Sequence, residues 1–402
     1  MLRLEQKSYS NKCNINLEYI SLMKKTIGII TMHAIDNFGS YLQTVALHNF
    51  LKNNGYLPTV IDYAYPNQLH LSTGKSHLNI RAIQPKLTIA SFFEKLRARL
   101  NMFIFKTAQK RLDLFHSFYD NYVNFTKHYA TADDLVADVP EFDIYIAGSD
   151  QIWNPEFVGD DTSFLLSWAP DNRKKISYSS SFSISEIPLE YKKSYQKWLK
   201  RFEHISVRES SNICKELLGH DVPVTLDPTF LLTKNDWTMY FNNKPLIDGE
   251  YIFCYILKYK FNPYPYIKDL VNRIKEQTRY KVVIIDGPKN MIDKSWFNIH
   301  NVGPAEFLNL IYNSKFVVTT SFHGTAFSIN FAKDFISLIN DQVTLDNRQK
   351  SLLKNVGMEE CLLVKNTPLE DVKLPKIDYV AKSERINELR NLSIDYLNDA
   401  LK

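Results

Sequence analysis

Short apolar, β-branched runs recur along this chain, each breaking into small polar residues before helical spacing resumes. Thr26 to Thr31 (TIGIIT) leads to Asn37-Phe38-Gly39-Ser40 and a helix over about 41–54, with Leu42, Val45, Ala46, Phe50 and Leu51 at helical spacing. Phe142 to Ala147 ends in Gly148-Ser149-Asp150, and Lys281 to Ile285 ends in Asp286-Gly287-Pro288. Phe316 to Thr319 ends in Thr320-Ser321-Phe322-His323-Gly324-Thr325, with a helix expected from Ala326 to Lys333. Apolar runs this short read as buried strands, and strands alternating with helices predict βαβ units in an α/β fold. The turns then mark where a ligand would lie, because open α/β sheets bind ligands outside the carboxyl ends of their strands.

The chain has 402 residues, which suggests two domains or three. We place the first at 23–235 and the second at 246–375, separated where Asn242, Asn243, Lys244, Pro245, Asp248 and Gly249 cluster. Residues 376–402 are expected to form a helix that crosses back to the first domain, and residues 1–22 a disordered extension. A helical insertion is expected at about 87–125, where Phe92, Phe93, Leu96, Phe103, Phe115 and Phe118 are interleaved with basic residues. Such a helix can lie on an anionic membrane surface or pack as a helical pair on its own domain. No run approaches the ~18 apolar residues of a membrane span, and no apolar signal region opens the chain. A net charge of +5 with no nucleic-acid motif gives no reason to expect a nucleic-acid partner. The four cysteines show no C-x-x-C spacing, which fits a reducing, cytoplasmic setting.

The strand-end turns carry the candidate chemistry. His323 is the titratable group of its turn, placed where a helix N-terminus offers N–H groups to an anion. Ser321, Gly324 and Thr325 surround it; the alternative is a simple capping turn. Asn37, Gly39 and Ser40 form the first turn, which is not a G-x-G-x-x-G fingerprint and implies no dinucleotide. Asp62 reads as a strand-end carboxylate. Asp150 is a candidate base or hydroxyl acceptor, with Ser149 beside it and Trp153 as a candidate stacking platform; the alternative is a cap and a core Trp. Ser179 to Ser183 offers a run of hydroxyls. Arg208 ends a short strand at 205–209 and can grip a carboxylate or phosphate bidentately, unless it merely pairs with Glu209. Asp227 closes another strand, and Arg348 is a second candidate anion clamp.

Taken together these turns resemble the polysaccharide pyruvyl transferase family. The matching blocks are I-G-I-I-T and N-F-G-S-Y-L-Q-T-V-A-L within 27–47, Y-I-A-G-S-D-Q-I-W-N-P at 145–155, S-V-R-E at 206–209, L-D-P-T at 226–229 and T-T-S-F-H-G-T at 319–325. The resemblance implies two Rossmann-like domains facing a cleft, similar to glycosyltransferase-B enzymes. It implies transfer of pyruvate from phosphoenolpyruvate to a sugar, as a ketal on a bacterial surface polysaccharide or its lipid-linked precursor. It implies a cytoplasmic enzyme, at the inner face of the membrane if its acceptor is lipid-linked. It says nothing about the insertion at 87–125.

That chemistry needs a proton donor to the methylene carbon, cations or N–H groups on the carboxylate and phosphate, and a base for each hydroxyl. The expected assignment gives His323 the acid or phosphate-binding role, Asp150 or Asp227 the base, and Arg208, Ser321, Gly324, Thr325 and Arg348 the donor. Asn37, Gly39, Ser40, Ser149 and Trp153 are expected on the acceptor side. The scheme calls for no metal and no cofactor beyond phosphoenolpyruvate as co-substrate. A nucleotide-sugar glycosyltransferase of the same architecture is the alternative, with Asp286 as its best ribose-binding carboxylate. A non-catalytic glycan- or partner-binding relative is the other.

Overall fold

In the structure, a computed structural model, residues 24–35, 37–63, 109–258, 261–340 and 348–402 are described. The expectations for 1–22, and for 87–108 of the insertion, lie outside the described residues.

Two parallel sheets organise the chain. The first runs in the order β3-β2-β1-β4-β5, from Thr26–Ile30 (β1), Leu57–Tyr63 (β2), Phe125–Tyr129 (β3), Ile144–Ala147 (β4) and Lys174–Ser177 (β5). The second runs β11-β10-β9-β6-β7-β8, from Tyr251–Tyr255 (β6), Lys281–Ile285 (β7), Phe297–Ile299 (β8), Phe316–Thr319 (β9), Asp334–Ile339 (β10) and Leu362–Val364 (β11). Counted within its own half, the second sheet has the 3-2-1-4-5-6 order of a Rossmann fold. The first sheet continues past β5 through isolated bridges, Ile176 to His204 and Val207 to Val224. The segments expected as strands at 205–209 and 222–227 therefore pair only at single points. Both halves reverse direction beside their first strand, between β1 and β4 and between β6 and β9.

The helix α1, Phe38–Asn53, follows β1 and starts three residues earlier than its apolar spacing predicts. Asn37 is the reason, since its side chain caps the helix by accepting from Gly39 N at 2.8 Å. The helix is buried continuously from Phe38 to Leu51, because it packs on the first sheet with one side and on the second domain with the other. Its polar residues bond internally: Gln43 donates to Thr31 Oγ1 at 2.9 Å, and Asn49 donates to Tyr122 O at 3.1 Å.

The described half of the insertion, α2 (109–122), turns Leu112, Phe115, Phe118 and Tyr119 inward. Phe115 stacks on Phe38 at 5.2 Å, and Phe38 stacks on Phe307 of the second domain at 4.5 Å. Arg111 reaches across to Asp286 just beyond β7, and His300 Nδ1 lies 2.8 Å from the same carboxylate. The apolar face of this half is spent inside the protein and is not presented to a membrane. Among the described helices, none is long and apolar enough to cross one.

In the second domain α3 (Pro304–Asn313) precedes β9, α4 (Phe322–Asn330) follows it, and α5 (Arg348–Val356) precedes β11. The last helix, α6 (Tyr379–Leu401), lies against the first domain. Tyr396 donates to Ser177 O at 2.7 Å, Leu226 N donates to Ser393 Oγ at 2.9 Å, and Lys25 donates to Leu401 O at 3.0 Å. One apolar cluster holds Ile29 and Val45 of the first domain together with Phe253, Phe307 and Phe327 of the second. Each such aromatic side chain contributes about 2–3 kcal/mol on burial. The two halves are joined by a core rather than by a wet interface.

Candidate functional site

Both topological switch points contribute to one cluster. From the second domain, Ser321 caps α4 by accepting from Gly324 N at 3.3 Å, and Thr325 N donates to Ser321 O at 3.0 Å. The helix therefore begins at Phe322 and not at Ala326, because the small polar residues are its cap and first turn. Gly324 and Thr325, expected at the donor, serve the scaffold. A Cβ on Gly324 would lie 2.3 Å from Thr319 Oγ1, and the Thr325 hydroxyl is buried between Ser321 O (3.0 Å) and Ser337 Oγ (2.7 Å). Among the described residues, the N–H groups of Phe322 and His323 meet no acceptor and remain open at the helix end.

His323 lies between the domains. Its Nε2 is 3.4 Å from Asp227 Oδ2, yet that nitrogen is buried without an aligned hydrogen bond. A nitrogen facing a carboxylate carries its proton, so the opposite nitrogen, Nδ1, is the one with no carboxylate beside it. It faces the start of α1, where a Cβ on Gly39 would fall only 2.0 Å away. Gly39 thus permits the close approach of two helix N-termini across the domain boundary.

Asp227 is saturated. Its Oδ1 accepts from Thr229 N at 3.0 Å and Thr229 Oγ1 at 2.8 Å, and its Oδ2 accepts from Arg208 Nη1 at 2.9 Å. Burial raises its pKa, but His323, then Arg208, and the Thr229 N–H outweigh that and hold the carboxyl well below the usual range. It is a poor proton acceptor, which corrects its assignment as a base.

Arg208 is the hub. Its Nη2 donates to Asp150 Oδ1 at 3.3 Å and its Nε to Glu209 Oε1 at 3.4 Å, while Phe322 covers one face at 4.3 Å. Burial favours the neutral form, but Asp150, Glu209 and Asp227 more than offset it and raise its pKa. Arg208 pairs with Glu209 and also with both aspartates, so three of its five N–H groups are committed. Asp150 sits at φ 73°, in the left-handed region, and accepts from Ser40 Oγ at 3.2 Å and Gln151 N at 3.0 Å. Strain of this kind is retained where the surroundings fix a functional side chain. Arg348 opens α5, is buried, and lies 5.9 Å from the Phe322 ring. A cavity beside the cluster is lined by Arg208, Asp227, Phe322, Leu352, Asn355 and Leu389.

Several expected acceptor residues are interior instead. Trp153 is fully buried, packs on Phe182 at 5.3 Å and donates to Phe164 O at 3.1 Å, so it is no stacking platform. Ser149 is buried and donates to Ser179 O at 2.6 Å, while Ser180 donates to Ala147 O at 3.0 Å; the serines knit strands together. The side chain of Asn37 is spent on its cap. Asp62 lies between His33 Nε2 at 3.0 Å and His128 Nδ1 at 3.2 Å. Phe322 and the third carboxylate, Glu209, belong to the cluster; Glu209 was expected only as a structural partner of Arg208, and Phe322 was not singled out in the sequence. Only the position of Phe322 inside the S-F-H-G-T block hinted at it, and an aromatic there reads as core.

A family model described as polysaccharide pyruvyl transferase matches residues 37–342. Among proteins with curated functions, none is similar enough to the chain to count as a match. Among solved structures, the chain is similar to the UDP-GlcNAc 2-epimerase of Neisseria meningitidis bound to UDP-GlcNAc, at 9% identity and TM-score 0.47, covering 94% of this chain and 99% of that one. It is similar to Arabidopsis thaliana UGT89C1 complexed with UDP-L-rhamnose, at 9% identity and TM-score 0.48, covering 92% and 94%. A UDP-GlcNAc 2-epimerase from Methanocaldococcus jannaschii matches at 12% identity and TM-score 0.45, covering 90% and 92%. The family match spans most of the chain, including every residue of the cluster but Arg348, and on that basis the chain belongs to the polysaccharide pyruvyl transferase family.

Proposed function

We propose that the chain transfers the pyruvyl group of phosphoenolpyruvate to two hydroxyls of a saccharide acceptor, forming a cyclic ketal and releasing phosphate. The observation that carries this reading is the join at His323. A ring nitrogen, two open N–H groups of α4 and the Arg208–Asp227 pair meet there at the boundary of the two domains. An anion at that helix end is favoured by the open N–H groups and the dipole.

In this scheme protonated His323 gives the Nδ1 proton to the methylene carbon of the donor, which becomes a methyl group. The adjacent carbon becomes electron-poor, and one acceptor hydroxyl adds to it. The carbon–oxygen bond to phosphate then breaks, and the second hydroxyl adds in its place. Of the two hydroxyl protons, one returns to His323 and the other leaves with phosphate by way of Asp150. Asp227 holds His323 Nε2 and does not itself turn over a proton. Arg348 and the open N–H groups of Phe322 and His323 meet the donor's anionic ends.

What weighs against a nucleotide-sugar donor is α2. Its Arg111 pairs with Asp286 just beyond β7, and its Phe115 packs on Phe38 of α1, which in turn meets Tyr255 at the end of β6, part of the crevice where a second-domain ligand would otherwise sit. The test is phosphate release from phosphoenolpyruvate in the presence of candidate saccharides, with His323→Ala as control. Loss of a general acid should lower turnover by about 10²–10⁴-fold. His323→Ala at near wild-type rate would remove the assigned role. Thermal stabilisation by UDP-sugars and not by phosphoenolpyruvate would remove the donor.

A further inference from the structure

Phe322 meets both guanidinium groups and the imidazole of the site. Its ring centre lies 4.3 Å from the Arg208 guanidinium and 5.9 Å from that of Arg348, and it meets the His323 imidazole edge to face at 5.2 Å and 85°. The residue is 4% exposed, so these contacts are shielded from water. Asp150, Glu209 and Asp227 hold the charge on Arg208 against burial and against a smaller opposing effect of Arg348. The negative face of an aromatic ring attracts a guanidinium, which an aliphatic side chain of similar volume does not. Phe322 also lines the cavity beside the cluster, and its own N–H is one of the two open at the α4 terminus.

We infer that Phe322 is a positioning residue for an anionic ligand bearing phosphate and carboxylate groups: its ring fixes the spacing of Arg208, Arg348 and His323, so that all three meet one ligand. The ligand class rests on the donor reading above; the spacing role rests on the ring contacts alone. A plain packing role would predict something else. It would lower thermal stability and depress every kinetic constant together, without singling out anions.

The experiment is calorimetric titration of wild type, Phe322→Leu, Phe322→Met and Phe322→Tyr with phosphoenolpyruvate and, separately, with inorganic phosphate. Melting temperatures are recorded for each. Leucine and methionine keep the apolar volume and lose the ring; tyrosine keeps the ring. The expected result is at least about 10-fold weaker binding of both anions by the leucine and methionine variants, with tyrosine within about 3-fold of wild type. A 10-fold change corresponds to about 1.4 kcal/mol. Under turnover the same two variants should raise the phosphoenolpyruvate KM and the phosphate inhibition constant together, leaving the acceptor KM in place. If either folded, ringless variant binds both anions as tightly as wild type, the inference is wrong. If wild type binds phosphate but not phosphoenolpyruvate, and phosphate binding still needs the ring, the positioning role stands and the donor reading fails. Wild type binding neither anion would overturn both.

Discussion

The turn after β4 and the turn after β9 look alike as sequence. Each ends a buried strand in small hydroxyl residues beside one charged or titratable group. They are finished differently. After β4, Ser149 and Trp153 spend their polar atoms on Ser179 O and Phe164 O, and Asp150 faces the cluster. After β9, Ser321 satisfies Gly324 N, but the N–H groups before it stay open and His323 Nε2 has no aligned partner. A tight exit from a parallel sheet needs small polar residues in either case. The site lies where something polar is left over after the turn has been built.

The largest expected effect tests the two aspartates that share Arg208 against each other. Asp227→Asn leaves Arg208 and His323 without a shared counter-charge and should cost about 3–5 kcal/mol in denaturant unfolding. Asp150→Asn should cost clearly less stability while still reducing turnover. Equal losses would break the distinction drawn between them. The pH dependence has a definite sign. Because the folded carboxyl of Asp227 is depressed, its contribution is complete above the unfolded carboxylate range near pH ~4 and fades as pH falls below it. Asp227→Asn should flatten that acid limb of the stability profile.

Next comes a pair of glycines. Gly39→Ala puts a Cβ 2.0 Å from His323 Nδ1, and a displacement of about 1 Å at that ring should lower turnover by about 10²-fold in a folded protein. Gly324→Ala meets Thr319 Oγ1 at 2.3 Å and should cost about 1–3 kcal/mol of stability instead. Circular dichroism melts alongside phosphate-release assays separate the two, and a swap of outcomes would mean the two glycines have been given each other's roles. The smallest effect sharpens the view of the β4 turn as scaffold. Trp153→Phe removes the bond to Phe164 O and should cost about 1 kcal/mol with the acceptor KM unchanged. A raised acceptor KM would return Trp153 to the saccharide.

Strands and sheet type were legible because Ile27, Ile29, Val317 and Val318 are apolar on both faces, which only a covered parallel sheet tolerates. The residues that meet at the cluster, His323, Arg208, Asp227 and Asp150, were each marked by ending a strand. Their order of contact was not, since Arg208 and Asp227 meet His323 only through a boundary between two folded halves. Helix starts were misplaced by three or four residues at α1 and α4, where the first turn is made of capping residues and carries no apolar period. The full burial of α1 was hidden by Gln43, Thr44, His48 and Asn49, whose side chains hydrogen-bond inside the protein, His48 through Nε2 alone. Phe322 was passed over because apolar spacing cannot tell a ring that packs on other rings from one that packs on guanidinium groups.

α1 has a further consequence. A rod gripped along its whole circumference transmits torque, so twisting one half of this molecule against the other would have to shear aromatic stacks such as Phe38 on Phe307. Substrate entry and product exit are then governed by displacements the size of a side chain or a loop.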